Sequence, residues 1–169
     1  GSFHHHIIHS LSESGVPFVS TAKVSEEESM LYVDVDNYYG ATLVMAHLRS
    51  LGHCRIAYIG KPTLQSSIDR LNGYRVALEK HDLTPEESLI APGDFTHRGG
   101  YRAMNELLKQ QPDAVFAASD IMAYGAMAAL AEAGIRIPED IALVGFDDLE
   151  GSAFTSPPLT TVRQPAFEM

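Results

Sequence analysis

The groups able to do chemistry in this chain recur at one kind of place, directly after short apolar runs. Ile59 leads to Gly60-Lys61, Ile90 to Gly93-Asp94-Phe95, Ala118 to Ser119-Asp120, and Phe146 to Asp147-Asp148. If the runs are parallel strands, all four clusters lie along one rim of a sheet, where open α/β sheets take their ligands. Carboxylates accept hydrogen bonds from vicinal hydroxyls, and an arginine such as Arg70 donates a fork of them. A ring such as Phe95 covers the apolar face of a sugar or stacks on a base. The set suits a small polyhydroxyl or heterocyclic ligand.

Each of these residues has a structural alternative. Asp120 stands where a helix begins and can cap it; equally, Ser119 can be the cap with Asp120 in the first turn. Asp147 and Asp148 are neighbours, and neighbours in extended chain point to opposite faces, so one of them addresses the pocket, with Asp147 preferred. Phe95 follows a turn and can be core. Arg70, near a helix start, is by default a solvated charge. No G-x-G-x-x-G follows a strand. Gly60-Lys61-Pro62-Thr63 lacks the upstream glycine of a phosphate loop, since Arg55 stands there. There is no G-x-S-x-G elbow and no local pattern that marks a catalytic triad. Nothing in the sequence demands catalysis, so no enzyme activity and no cofactor are expected.

The elements that must position these groups alternate. Helical spacing marks residues 7–14, 38–51, 67–81, 98–110 and 121–133; strand patterns mark 17–21, 31–35, 55–59, 88–91, 113–118, 141–146 and 159–162. Asp36-Asn37 offers an N-cap to the second helix, and Gly52 a stop. Ser25–Ser29 is a charged loop. Short connections between alternating strands and helices give an α/β fold, a parallel sheet flanked by helices on both faces. Residues 1–52 read as a partial amino-terminal lobe, 53–162 as one complete carboxy-terminal lobe, and 163–169 as the start of a crossover back. A partial lobe is expected to leave apolar surface uncovered.

Composition sets outer bounds. The formal charge is −10, which repels phosphate backbones and argues against direct nucleic-acid contact by this stretch. No apolar run approaches membrane-spanning length, and no membrane partner is expected. The one cysteine, Cys54, fits a reducing compartment, hence a cytoplasmic location. Gly1-Ser2 and the following histidines read as remnants of a tag. His5 and His9 share a helix face, but nothing nearby completes a metal site, so no metal is expected.

In order along the chain, Gly40-Ala41 with His47-Leu48, Leu51-Gly52-His53, Arg55-Ile56-Ala57-Tyr58-Ile59-Gly60, Arg70 with Gly73-Tyr74, Gly93-Asp94-Phe95, Asp113 through Asp120, Pro138-Glu139-Asp140, Val144 through Asp148, and Ser156 through Val162 form a specific set. It resembles the effector-binding region of lactose-repressor-type (LacI/GalR) transcription regulators. The resemblance implies a periplasmic-binding-protein-like, two-lobed sensor, acting as a repressor, whose effector is touched by Arg70, Phe95, Ser119 or Asp120, and Asp147. It also implies a homodimer and a helix-turn-helix headpiece that this chain does not contain, so operator DNA is reached only through that headpiece. Sugars, sugar phosphates and nucleobases all suit such a rim, with a sugar preferred. Many members carry Asp-Arg where this chain has Ala22-Lys23, which bears on the other lobe's share of the pocket. A periplasmic sugar-binding protein of a transport system is the alternative with the same fold; an enzyme of doubly wound fold is the second.

Overall fold

The computed structural model describes residues 10–11, 13–21 and 31–165. The histidines at 5 and 9, the charged loop and Ala22-Lys23 lie outside them. Two compact units emerge, one of residues 1–36 with 165–169, the other Asn37–Gln164.

The larger unit holds five strands: β1 (Ile56–Gly60), β2 (Ile90–Pro92), β3 (Ala114–Ala117), β4 (Ala142–Asp147) and β5 (Thr160–Arg163). They form one sheet in the order β2-β1-β3-β4-β5, and every pair is parallel. Four helices connect or precede them: α1 (Asn37–Ser50), α2 (Gln65–Lys80), α3 (His97–Leu108) and α4 (Asp120–Glu132). Short 3-10 turns occupy Glu87–Leu89 and Glu150–Phe154. The order reverses at β1, so right-handed crossovers send α2 to one face and α3 and α4 to the other. α1 packs on α2, and α3 on α4.

β1 and β3 are buried along their whole length, which is why they read as unbroken apolar runs. Four rings, Tyr58, Tyr74, Phe116 and Phe146, tie the core together; Tyr58 meets Phe116 edge-on with centroids 5.3 Å apart. Burial forces the phenol groups to find partners, and each does: Tyr58 donates to the Ser67 carbonyl and Tyr74 to the Ile56 carbonyl, both at 2.8 Å. Burial also pushes the Tyr58 phenol up to about 12.

Two expectations are corrected. The sequence boundary at 52 cuts off α1, yet α1 belongs to the larger unit. A β-carbon on Gly73 of α2 would stand 2.5 Å from the Tyr38 carbonyl oxygen, and one on Gly40 of α1 would stand 2.7 Å from the Phe146 ring. These missing side chains let α1 settle onto the larger unit's core. In the smaller unit, the segments 17–21 and 31–35 do not form strands; they share a single parallel bridge, Ser20 with Tyr32. Two paired segments by themselves make a poor sheet, and among the described residues no third pairs with them. Val16, Val19 and Leu31 are exposed there.

Candidate ligand-binding site

The expected rim exists. Because all five strands are parallel, the residues after β2, β3 and β4 come out at one edge of one sheet. The five candidates differ sharply in what they do there.

Arg70, on α2, is not a solvated charge. It is 3 % exposed. Its Nε donates to Asn37 Oδ1 at 2.9 Å, and an Nη donates to the carbonyl oxygen of Ala118. The same Nη lies 3.8 Å from Asp147 Oδ1, and the guanidinium carbon sits 3.7 Å above the Phe146 ring centroid. A buried cation persists only with such partners around it. Ring, carbonyl, amide and carboxylate together fix the plane of the fork.

Asp147 closes β4. Its φ of +136° and the +57° of Asp148 turn the chain sharply out of the sheet. The turn holds Asp147 half-buried while Asp148 is exposed, so Asp147 is the one of the two that faces Arg70. Gln164 donates its Nε2 to Asp147 Oδ1 at 2.5 Å. Burial pushes the Asp147 carboxyl above the usual range, while Arg70 and the Gln164 bond pull it back.

Ser119 is the cap of α4; its hydroxyl accepts from the Met122 amide at 3.2 Å and is almost fully buried. Asp120 is the first residue of that helix and is fully buried. Its Oδ2 accepts from the Leu149 amide (2.9 Å) and the Ser152 hydroxyl (2.6 Å), and its Oδ1 from the Thr161 hydroxyl (2.6 Å). Gly145 leaves room for it, since a β-carbon there would collide with Oδ1. This carboxylate accepts three hydrogen bonds from protein donors. It ties α4 to the connection between β4 and β5.

Phe95 is half-buried with φ +63°, a strained conformation for a bulky residue that needs support from its surroundings. The support comes from Asp94, whose Oδ1 accepts from the Thr96 amide (3.0 Å) and hydroxyl (2.6 Å). Arg102 pairs with its other oxygen at 3.1 Å. The Thr96 bonds, with help from Arg102, hold the Asp94 carboxyl below its ordinary value. Thr96 in turn caps α3 through the Gly99 amide. Asp94 thus shapes the loop that carries Phe95.

A depression of about 440 Å³ lies between α2 and the β1–β2 edge, with Tyr58, Ile68, Leu71 and Ile90 in its walls, and reaches the rim at Gly60 and Lys61; none of the five candidates lines it. Among the described residues no group of three or more histidine, cysteine, aspartate or glutamate side chains is placed to hold a metal ion. No described helix is long and apolar enough to cross a membrane. Sequence reasoning missed Gln164, whose signal was its place one residue beyond Arg163, the β5 partner of Asp147. It took Asn37 only as a helix start.

Residues 45–169 match the family described as a periplasmic binding protein-like domain. The chain belongs to that family. Its relatives are LacI-type regulators. The HTH-type transcriptional regulator CelR of Thermobifida fusca is 43 % identical over 160 residues, covering 92 % of this chain and 47 % of CelR. The solved CelR–cellobiose complex superposes with a TM-score of 0.89 at 41 % identity, over 96 % of this chain and 51 % of that one. A LacI family regulator from Enterococcus faecium with bound ribose gives 0.88 at 33 % identity, over 97 % and 62 %. The chain spans about half the length of the curated relatives it matches. These likenesses identify the periplasmic binding protein-like fold, with five parallel strands and flanking helices, and align the chain with part of LacI-type regulators.

Proposed function

We propose that this chain senses a small sugar for a LacI-type transcriptional regulator, with Arg70 and Asp147 as the polar contacts of the effector and Phe95 as the ring that covers it. The observation that carries the reading is buried Arg70 beside half-buried Asp147 at the carboxyl rim of the sheet. A cation taken out of water and held by four kinds of partner is costly to keep unless its orientation matters. The relatives add chemistry of the same kind, since one is solved with cellobiose and another with ribose. Ser119 contributes by capping α4 beneath the site. Residues 1–36 and 165–169 are assigned to the amino-terminal lobe, and 37–164 to the effector-binding lobe.

The mechanism follows from linkage. A sugar that binds one closure state better than another shifts the balance between them by its differential affinity. In the whole regulator that shift changes the presentation of a helix-turn-helix headpiece, and with it operator affinity. A homodimer gives the two-fold symmetry that a palindromic operator requires. Exposed Leu31 and Phe154 supply apolar surface that a second copy can cover. The acidic charge suits a sensor that leaves DNA contact to another segment, in the cytoplasm where the operator is. A sensor of this kind has no reaction to catalyse, and the relatives named as regulators favour it over transport in the periplasm.

Thermal unfolding in the presence of cellobiose, ribose and nucleosides tests the reading. A sugar at a hundred times its Kd adds about 2.7 kcal/mol to native stability, which raises Tm by roughly 5–11 °C in a chain of this size. Nucleosides raising Tm while sugars leave it unchanged would reject the sugar assignment.

A further inference from the structure

The chain passes between its two units at two places, between Asp36 and Asn37 and between Gln164 and Pro165. Asn37 is therefore the first residue of the larger unit and Gln164 the last. Each is bonded to one half of the Arg70–Asp147 pair. Asn37 Oδ1 accepts from Arg70 Nε at 2.9 Å, and Gln164 Nε2 donates to Asp147 Oδ1 at 2.5 Å. We propose that Asn37 and Gln164 are positioning residues that hold the Arg70–Asp147 pair from the two ends of the unit, so that a ligand engaging the pair acts on both points where the chain leaves it. The ligand clause rests on the sugar-sensing reading above; the holding does not.

Packing supports each half. Asn37 is 3 % exposed, and its place is set by the contact of the next residue, Tyr38, with Gly73, which follows Arg70 by three residues on α2. Gly40, one turn further along α1, makes room for the Phe146 ring on which Arg70 lies. So the start of α1, Arg70 and Phe146 form one packed group. A guanidinium fixed at Nε by Asn37 and at Nη by the Ala118 carbonyl has a fixed plane. On the other side, β5 runs parallel to β4 with Arg163 opposite Asp147, which brings Gln164 alongside the carboxylate. The Gln164 amide also points at the Asp147 carbonyl oxygen, at 3.5 Å. A side chain that only filled space at a strand end would have no reason to meet the carboxylate 3.8 Å from Arg70.

Two resonances of the unliganded chain test this without reference to any ligand. Asp147 is faced by Arg70 from α2, by Asp120 from α4 and by Gln164 beyond β5. Gln164 donates to the charged form, so Gln164→Leu is expected to move the Asp147 carboxyl midpoint upward by about one pH unit, read from its 13C shift. Asn37→Ala is expected to speed hydrogen exchange of the Arg70 Nε–H about tenfold or more, and Asn37→Asp, which keeps the acceptor, to restore protection. Should Asn37→Ala fail to fold, the half-buried Gln164, one residue beyond β5, decides through Gln164→Leu. Variants that lower Tm but leave both resonances as in the unsubstituted chain would overturn the proposal. Calorimetry with cellobiose then separates the two readings. Weaker cellobiose binding by Gln164→Leu supports the ligand clause. No cellobiose binding by the unsubstituted chain counts against the sugar reading, and the two resonances still decide whether Asn37 and Gln164 hold the pair.

Discussion

At the scale of single residues, the two inward carboxylates of the rim, buried Asp120 and half-buried Asp147, have opposite duties, set by who their partners are. Asp120 serves three protein donors. Asp120→Ala strips an acceptor from the Leu149 amide and from two hydroxyls, and is expected to lower the unfolding free energy in urea by about 3 kcal/mol or more. Asp147 is held by one amide donor and the Arg70 charge, and burial raises its carboxyl. The native state therefore binds this proton more tightly than the unfolded chain does. That share of stability is fully present below the unfolded value and is lost as pH rises through the native one. Relative to Asp147→Asn, the parent chain is expected to lose stability as pH rises past the ordinary aspartate range, measured by urea unfolding at each pH. Asp147 was legible in the sequence because alternation leaves one of two adjacent aspartates facing inward. The duty of Asp120 was not, because Ser152 and Thr161 lie 32 and 41 residues further on and only the folded chain brings them back.

At the scale of elements, the helices were legible wherever apolar spacing, a cap and a stop coincided. α4 has Ser119 in front and Gly134 at φ +70° behind. The sequence did not disclose how closely α3 and α4 approach. A β-carbon on Gly125 would collide with the His97 carbonyl oxygen, and one on Gly100 with that of Met122. The two backbones touch, and no side chain can yield. Gly125→Ala is expected to cost about 1–3 kcal/mol of stability through overpacking, seen as a lower urea midpoint at unchanged slope. The segments 17–21 and 31–35 have strand-like sequences yet share only one bridge, since alternation describes a face and not whether a neighbour exists to pair with it. The turn at Glu150–Phe154 carried no period to read and formed around the Asp120 carboxylate instead.

At the scale of the whole molecule, a parallel sheet gathers the ends of β2, β3 and β4 at one edge and gives separate residues a common address. That gathering was legible from the βαβ rhythm alone. The boundary of the larger unit was not, because α1 joins it through absent side chains at Gly40 and Gly73, which no hydrophobic pattern marks. The central claim is that Arg70 and Asp147 receive a sugar at this edge. Isothermal titration of cellobiose and ribose into the intact regulator and its Asp147→Ala form tests it most directly. Loss of a charged acceptor is expected to weaken the sugar that binds by about tenfold or more. A sugar held equally well by both forms would contradict the account.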